Sequence, residues 1–161
     1  MATLTVLGIG NILMRDEGIG VRLMEAVRDA RDWPSDVEFI DGGAGGLSLL
    51  NVIESAERLV VFDAAEMQLV PGECRTFSPE DLAADRPGGR ITMHDVSFLE
   101  ALELCERFSR RPPTVIFAIE PKTVEFGRQL SDELSSAFDR LVEAAVTCVI
   151  QARGSFHGVR Q

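Results

Sequence analysis

The sequence predicts an α/β protein: a twisted, mostly parallel sheet of about five strands with helices on both faces. Three observations carry this expectation. Short apolar runs such as Leu59-Val60-Val61-Phe62 have the length of buried strands. Between them lie segments whose apolar residues recur at helical spacing. The two patterns alternate along the chain, as they do where crossover helices join parallel strands.

Residues 3–9 read as a buried strand running into glycine. Residues 18–33 read as a helix with Val21, Met24 and Val27 in phase and Asp16 as its N-cap. Residues 36–41 form a second strand, the glycines of 42–46 a flexible loop, and residues 47–57 a second helix. A third strand covers 58–63 and a short extra strand 72–77, followed by a capped helical turn at 78–84 and a loop at 85–90. Residues 94–108 read as a helix with Phe98, Leu102 and Cys105 on one side. Residues 113–119 give another strand. Residues 132–150 give a long helix with Leu134, Phe138, Leu141, Ala145 and Cys148 in phase. Residues 1–150 are thus expected to form a single α/β domain. Residues 151–161 show no periodicity and are expected to form a disordered tail whose deletion leaves fold and activity intact.

Composition narrows the function classes. The chain has 161 residues, 45% hydrophobic, with a mean hydropathy of +0.08, so it can build a core and is not a disordered polymer. No apolar run approaches the roughly 18 residues of a membrane span, and no basic region precedes the first apolar run, so a cytoplasmic protein is expected. Lys and Arg number 16 against 26 Asp and Glu, a formal charge of −10 that repels phosphate backbones and argues against nucleic-acid or anionic-membrane partners. Cys74, Cys105 and Cys148 form no CxxC pair and are odd in number, which suggests neither a zinc knuckle nor a disulfide framework. Any chemistry that needs histidine must use His94 or His157, and the tail gives His157 no role.

In open α/β sheets ligands bind outside the carboxyl ends of the strands. There the sequence places Gly8, Gly10, Asn11, Asp16 and Glu17 after the first strand, Asp41 and two glycines after the second, Asp63 at the end of the third, and Glu120 after the fourth. Thr92-Met93-His94-Asp95 precedes a helix. Taken singly, these residues cap helices and satisfy turns. Together, carboxylates on one edge repel one another unless a cation or shared proton compensates. Two carboxylates and an imidazole suit nickel, zinc, manganese or iron. The turn Gly8-Ile9-Gly10-Asn11-Ile12-Leu13 fails as a dinucleotide fingerprint. Leu13 stands where a third glycine is needed, and Asp16 and Glu17 would face the pyrophosphate. No G-x-S-x-G elbow of a serine hydrolase exists, because Gly46-Leu47-Ser48-Leu49 lacks the closing glycine.

Gly8-Ile9-Gly10-Asn11-Ile12-Leu13, then Asp16-Glu17-Gly18-Ile19-Gly20, Asp41-Gly42-Gly43, Asp63 and His94, in this order, resemble the NiFe-hydrogenase maturation endopeptidases. The likeness runs from the first strand to the last helix. It implies a cytoplasmic peptidase that removes a short C-terminal extension from the hydrogenase large-subunit precursor after nickel insertion, with the bound nickel as recognition element. By position, the family's metal-contacting residues fall on Glu17, Asp63 and His94. Its Asp-Gly-Gly aspartate, tied to cleavage, falls on Asp41, a general base if neighbouring acids raise its pKa. On this reading the nickel arrives in the substrate's own site, and no tightly bound structural metal is expected in the enzyme. The alternative is a non-catalytic nickel- or metalloprotein-binding chaperone that checks loading without cutting. Asp41 beside an open loop separates the two, since a pure binding module does not need it.

Overall fold

The computed structural model describes residues 4–46, 48–83, 92–93 and 96–157. The expected loop at 85–90, the helix start at 47 and the first two residues of the helix drawn from 94 lie outside these. Strands β1 (Leu4–Gly8), β2 (Val37–Asp41), β3 (Leu59–Glu66), β4 (Cys74–Phe77), β5 (Thr92–Met93) and β6 (Thr114–Ile119) form one sheet. Its main path runs β2-β1-β3-β6-β4, with β5 paired to β3. The four strands β2, β1, β3 and β6 are mutually parallel; β4 joins β6, and β5 joins β3, in antiparallel sense. The expected mixed, mostly parallel α/β architecture is what the chain adopts.

Helices α1 (Ile19–Asp29) and α5 (Asp132–His157) cover one face; α2 (Leu49–Ser55) and α4 (Val96–Phe108) cover the other, and the short α3 (Pro79–Ala83) follows β4. The period-two alternation of the strands divides the core accordingly. Val60, Phe62 and Phe117 meet Leu23, Val27 and Leu141, whereas Val61, Ile116 and Leu7 meet Ile53, Phe98 and Leu102. Phe62 and Phe117 stack edge to face with centroids 5.6 Å apart. Both faces being buried explains why the strands read as unbroken apolar runs. Among the described residues no helix is long and apolar enough to cross a membrane.

Two expectations are corrected here. Strand β3 does not stop at Asp63 but continues to Glu66, because Asp63 and Ala64 pair with Ala118 and Ile119 of β6, and Ala65 and Glu66 pair with β5. The partner at 92–93 is remote in sequence, so local pattern ends the strand too early. The tail expected to be loose from residue 151 is helical through His157. Ala152 is buried and extends the Ala145, Val149 stripe of α5 onto the sheet. Its carbonyl accepts from Arg58 Nη1 at 2.8 Å, and Arg153 makes a bidentate pair with Asp36 at 3.0 and 3.2 Å. One small residue among Gln, Arg, Gly and Ser conceals the periodicity; residues 158–161 lie outside the described chain.

Deleting residues 151–161 is therefore expected to lower the melting temperature by about 5 °C or more, since a chain of this size loses roughly 2–4 °C per kcal/mol. Arg153→Ala is expected to lower it by about 1–3 °C, because half-exposed ion pairs contribute little. Thermal melts followed by circular dichroism check both, and a deletion that melts like the full chain contradicts the docking of these turns.

Candidate functional site

The chain enters β2 on one side of β1 and β3 on the other, so the carboxyl edge between β1 and β3 is the topological switch point where this architecture opens a crevice. In register, Gly8 of β1 sits between Asp41 of β2 and Phe62 of β3. The Ile9 N–H donates to the Phe62 carbonyl at 3.0 Å, and beyond this β1 turns away. Asp63 is the first β3 residue past that point. It is completely buried, its Oδ1 accepting the Ala64 N–H at 2.8 Å, and it lies on the face of Val61 and Ala65, above α2 and α4.

The glycines flanking this point bring backbones together. A β-carbon on Gly10 would fall 2.0 Å from the Glu17 carbonyl oxygen, and one on Gly18 2.7 Å from the Ile12 Cα. One on Gly20 would meet the carbonyl oxygens of Ile9 and Phe62 at 2.2 and 2.3 Å. The space a dinucleotide fingerprint keeps for phosphate is thus filled by the chain's own backbone. The result is a 3₁₀ turn, Arg15–Gly18, pressed against the ends of β1 and β3. Glu17 sits in this turn, half-buried, and its carboxylate accepts no hydrogen bond from the described residues.

Asp16, expected as an N-cap, has a different role. Gly18 occupies the N-cap of α1, with no side-chain cap. The completely buried Asp16 carboxylate instead accepts the backbone N–H groups of Ser131 at 2.7 Å, Thr123 at 2.8 Å and Lys122 at 2.9 Å. Burial alone pushes this carboxyl up, but the hydrogen bonds from Ser131, Thr123 and Lys122 together outweigh it and hold the group below the usual carboxylate range. Glu120 is also structural: buried after β6, it accepts the Met67 N–H at 2.6 Å and so ties the chain leaving β3. Partners up to 115 residues away leave no local signal in the sequence. Of the acids gathered at the strand ends, Glu17, Asp41 and Asp63 remain for other work.

Asp41 is exposed, its Oδ1 accepting the Gly43 N–H at 2.7 Å in a tight turn whose Gly43 has φ +55°. The Gly43 carbonyl in turn accepts the Gly10 N–H at 2.8 Å, joining the glycine loop to the turn that carries Glu17. By strand alternation Asp41 shares the face of Gly8 and Phe62, opposite Asp63. His94 lies outside the described residues. Immediately before it, Met93 pairs with Ala65, two residues beyond Asp63. Among the described residues no three His, Cys, Asp or Glu side chains form a cluster able to hold a metal.

Other chemistries find no support. Burial raises the thiols of Cys74, Cys105 and Cys148, the last to about 11, so none is a ready thiolate. A groove of about 660 Å³ lies between α1 and α5 around Arg22, Asp29 and Phe138, with Arg128 and Gln129 of the loop after β6 at its rim.

Fold and edge together define a doubly wound α/β protein with acidic residues at its switch point. The chain belongs to the hydrogenase maturation protease family, whose HycI family model matches residues 21–148, and it is accordingly a peptidase. It is 32% identical over 143 residues to the hydrogenase expression/formation protein HupD of Rhodobacter capsulatus, covering 88% of this chain and 68% of that protein. It is 38% identical over 123 residues to the hydrogenase 2 maturation protease of Escherichia coli, covering 74% of each. The solved structure of the hydrogenase maturating endopeptidase HybD from E. coli superposes with a TM-score of 0.76 at 26% identity, covering 94% of this chain and 93% of that one.

Asp16→Asn sets an amide N–H against backbone donors and is expected to cost about 2–3 kcal/mol, or roughly 4–12 °C in melting temperature at pH 7. Because the folded-state pKa of Asp16 is lowered, its ionised form stabilises the protein above the ordinary value of 3.8. That contribution is lost as pH falls through the folded value. The gap between wild type and variant should therefore be widest near neutrality and close toward pH 2. Melts across pH check this; a gap independent of pH contradicts it.

Proposed function

We propose that the chain is an endopeptidase that removes a short C-terminal extension from the NiFe-hydrogenase large-subunit precursor once nickel is in place, with the substrate's nickel as recognition element. The observation that carries this reading is that the buried Asp63 and the half-buried Glu17 both stand at the switch point, Glu17 on a turn fixed by backbone contact and without a hydrogen-bond donor among the described residues. Two carboxylates and an imidazole form an open, borderline-hard set suited to completing the coordination of an ion already held elsewhere. His94 enters as the third ligand through the resemblance, and the tether of Met93 beside Ala65 supports it.

Asp41 has a separate role in this reading. It stands on β2, two strands from Asp63 and so about 10 Å away across the sheet, and its side chain belongs to the other face. Beside it, Gly43 and Gly46 have no neighbour that a side chain would meet, which leaves room for an extended peptide to lie against backbone. Asp41 accepts a proton from the attacking water, whose oxygen adds to the scissile carbonyl, and the proton passes to the departing amine as the C–N bond breaks. Family membership favours this over the chaperone alternative, because the relatives are proteases.

Intact-mass analysis of nickel-loaded and nickel-free precursor, each incubated with metal-stripped enzyme, tests the reading. Only the loaded precursor should lose its extension. Asp41→Asn is expected to reduce cleavage by about 100-fold or more while loaded precursor still binds. His94→Ala should lose binding of the loaded precursor with its melting temperature unchanged. Equal cleavage of both precursors, or cleavage only after metal is restored to the enzyme, overturns the proposal.

A further inference from the structure

Two loops at the carboxyl edge of the sheet are laced together, and four apolar side chains stand exposed on them among polar ones. The loop after β1 and the loop after β6 meet in a parallel bridge between Met14 and Gly127. Gly127 N–H donates to the Leu13 carbonyl at 2.8 Å, Arg15 N–H to the Gly127 carbonyl at 2.9 Å, and Asp16 N–H to the Thr123 carbonyl at 3.1 Å. Beneath them the Asp16 carboxylate gathers the N–H groups of Lys122, Thr123 and Ser131. Outside, Arg15 Nε donates to the Gln129 carbonyl at 3.0 Å and Nη1 to Glu125 at 3.2 Å. On these pinned segments Ile12, Leu13, Val124 and Phe126 all stand exposed, Phe126 by 83%.

Single exposed apolar residues need no explanation, but four on adjoining segments whose backbones are fixed mark an interaction surface. We propose that this platform docks the folded body of the protein substrate through an apolar patch on that partner's own surface; the inference rests on the reading above. The choice of occupant follows from continuity with the site. The Ile12 Cα lies 2.7 Å from where a β-carbon on Gly18 would be, so platform and Glu17 turn are one piece of backbone. A folded protein that presents a metal to Glu17 comes against the backbone segment that carries Ile12 and Leu13. A second copy of this chain seated there would cover the crevice that substrate has to enter.

The test uses Leu13→Ser and Phe126→Ser, with Phe108→Ser as control. Phe108 is 82% exposed but ends α4, near the amino edge of the sheet where β6 begins. Initial cleavage rates are measured by intact mass against the concentration of nickel-loaded precursor, and binding of the same precursor by interferometry. The two platform variants should raise KM and Kd by about tenfold or more, leave kcat within twofold and melt as wild type does. Phe108→Ser should match wild type throughout. Unchanged Kd, a fall in kcat alone, or an equal effect of Phe108→Ser overturns the platform. So does a wild-type dimer in sedimentation that Phe126→Ser dissociates, which would assign the surface to a second copy. A wild type that binds the loaded precursor without cutting it overturns the peptidase reading instead, and leaves the platform to be judged on Kd.

Discussion

The carbonyl oxygen of Glu17 occupies the place where any residue other than glycine at position 10 would put its β-carbon. Everything at the carboxyl edge depends on that approach. It holds the Arg15–Gly18 turn against the end of β1, and Gly20 extends the contact by letting the start of α1 touch the carbonyls of Ile9 and Phe62. Glu17 is thereby fixed by backbone, and among the described residues no hydrogen-bond donor holds its carboxylate. The same contact decides what the glycine-rich turn is for. In a dinucleotide site these glycines would make room for a ligand; here they make room for the chain itself.

Neighbouring acids meet opposite fates on this scaffold. Asp16 turns inward, and three backbone donors stabilise its charge. Glu17, one residue on, turns to an edge where the described residues offer it no donor. Glu120 repeats the inward solution by holding Met67, and so helps set the course of the chain beyond β3. A negatively charged protein can gather carboxylates at one edge when some of them are absorbed as acceptors for loop backbone, since those no longer compete for whatever ion arrives.

The fold was legible because both faces of the sheet are buried. That makes β1, β3 and β6 continuous apolar runs and gives the covering helices clear stripes. What escaped the sequence depends on remote partners. Strand β3 reaches Glu66 only because β5 and β6 pair with it, and α5 runs through His157 because Ala152 and Arg153 find the sheet and Asp36. Asp16 reads as a helix cap at the level of spacing, and only the three-dimensional path of residues 122–131 gives it its true partners. In the candidate site, Glu17, Asp41 and Asp63 stand out as acids after strands. Their separation onto two faces is a matter of register with Gly8, which no local pattern contains. The exposed residues Ile12, Leu13, Val124 and Phe126 give no periodic signal at all, because loops impose none.

That separation bears on how recognition and cleavage coexist. A carboxylate that both held the substrate's ion and activated water would have its proton affinity lowered by the ion, and would be a weaker base when the substrate was correctly bound. Asp41 stands on the far side of β1, on the other face, while the chain between keeps it in register with Gly8. The Gly10 N–H to Gly43 carbonyl bond ties the turn bearing Glu17 directly to the loop beside Asp41. In the proposed reaction, a substrate seated by its metal on one side would meet Asp41 at a set offset on the other. Specificity for the loaded precursor can arise from that geometry alone, without the metal taking part in the bond that breaks.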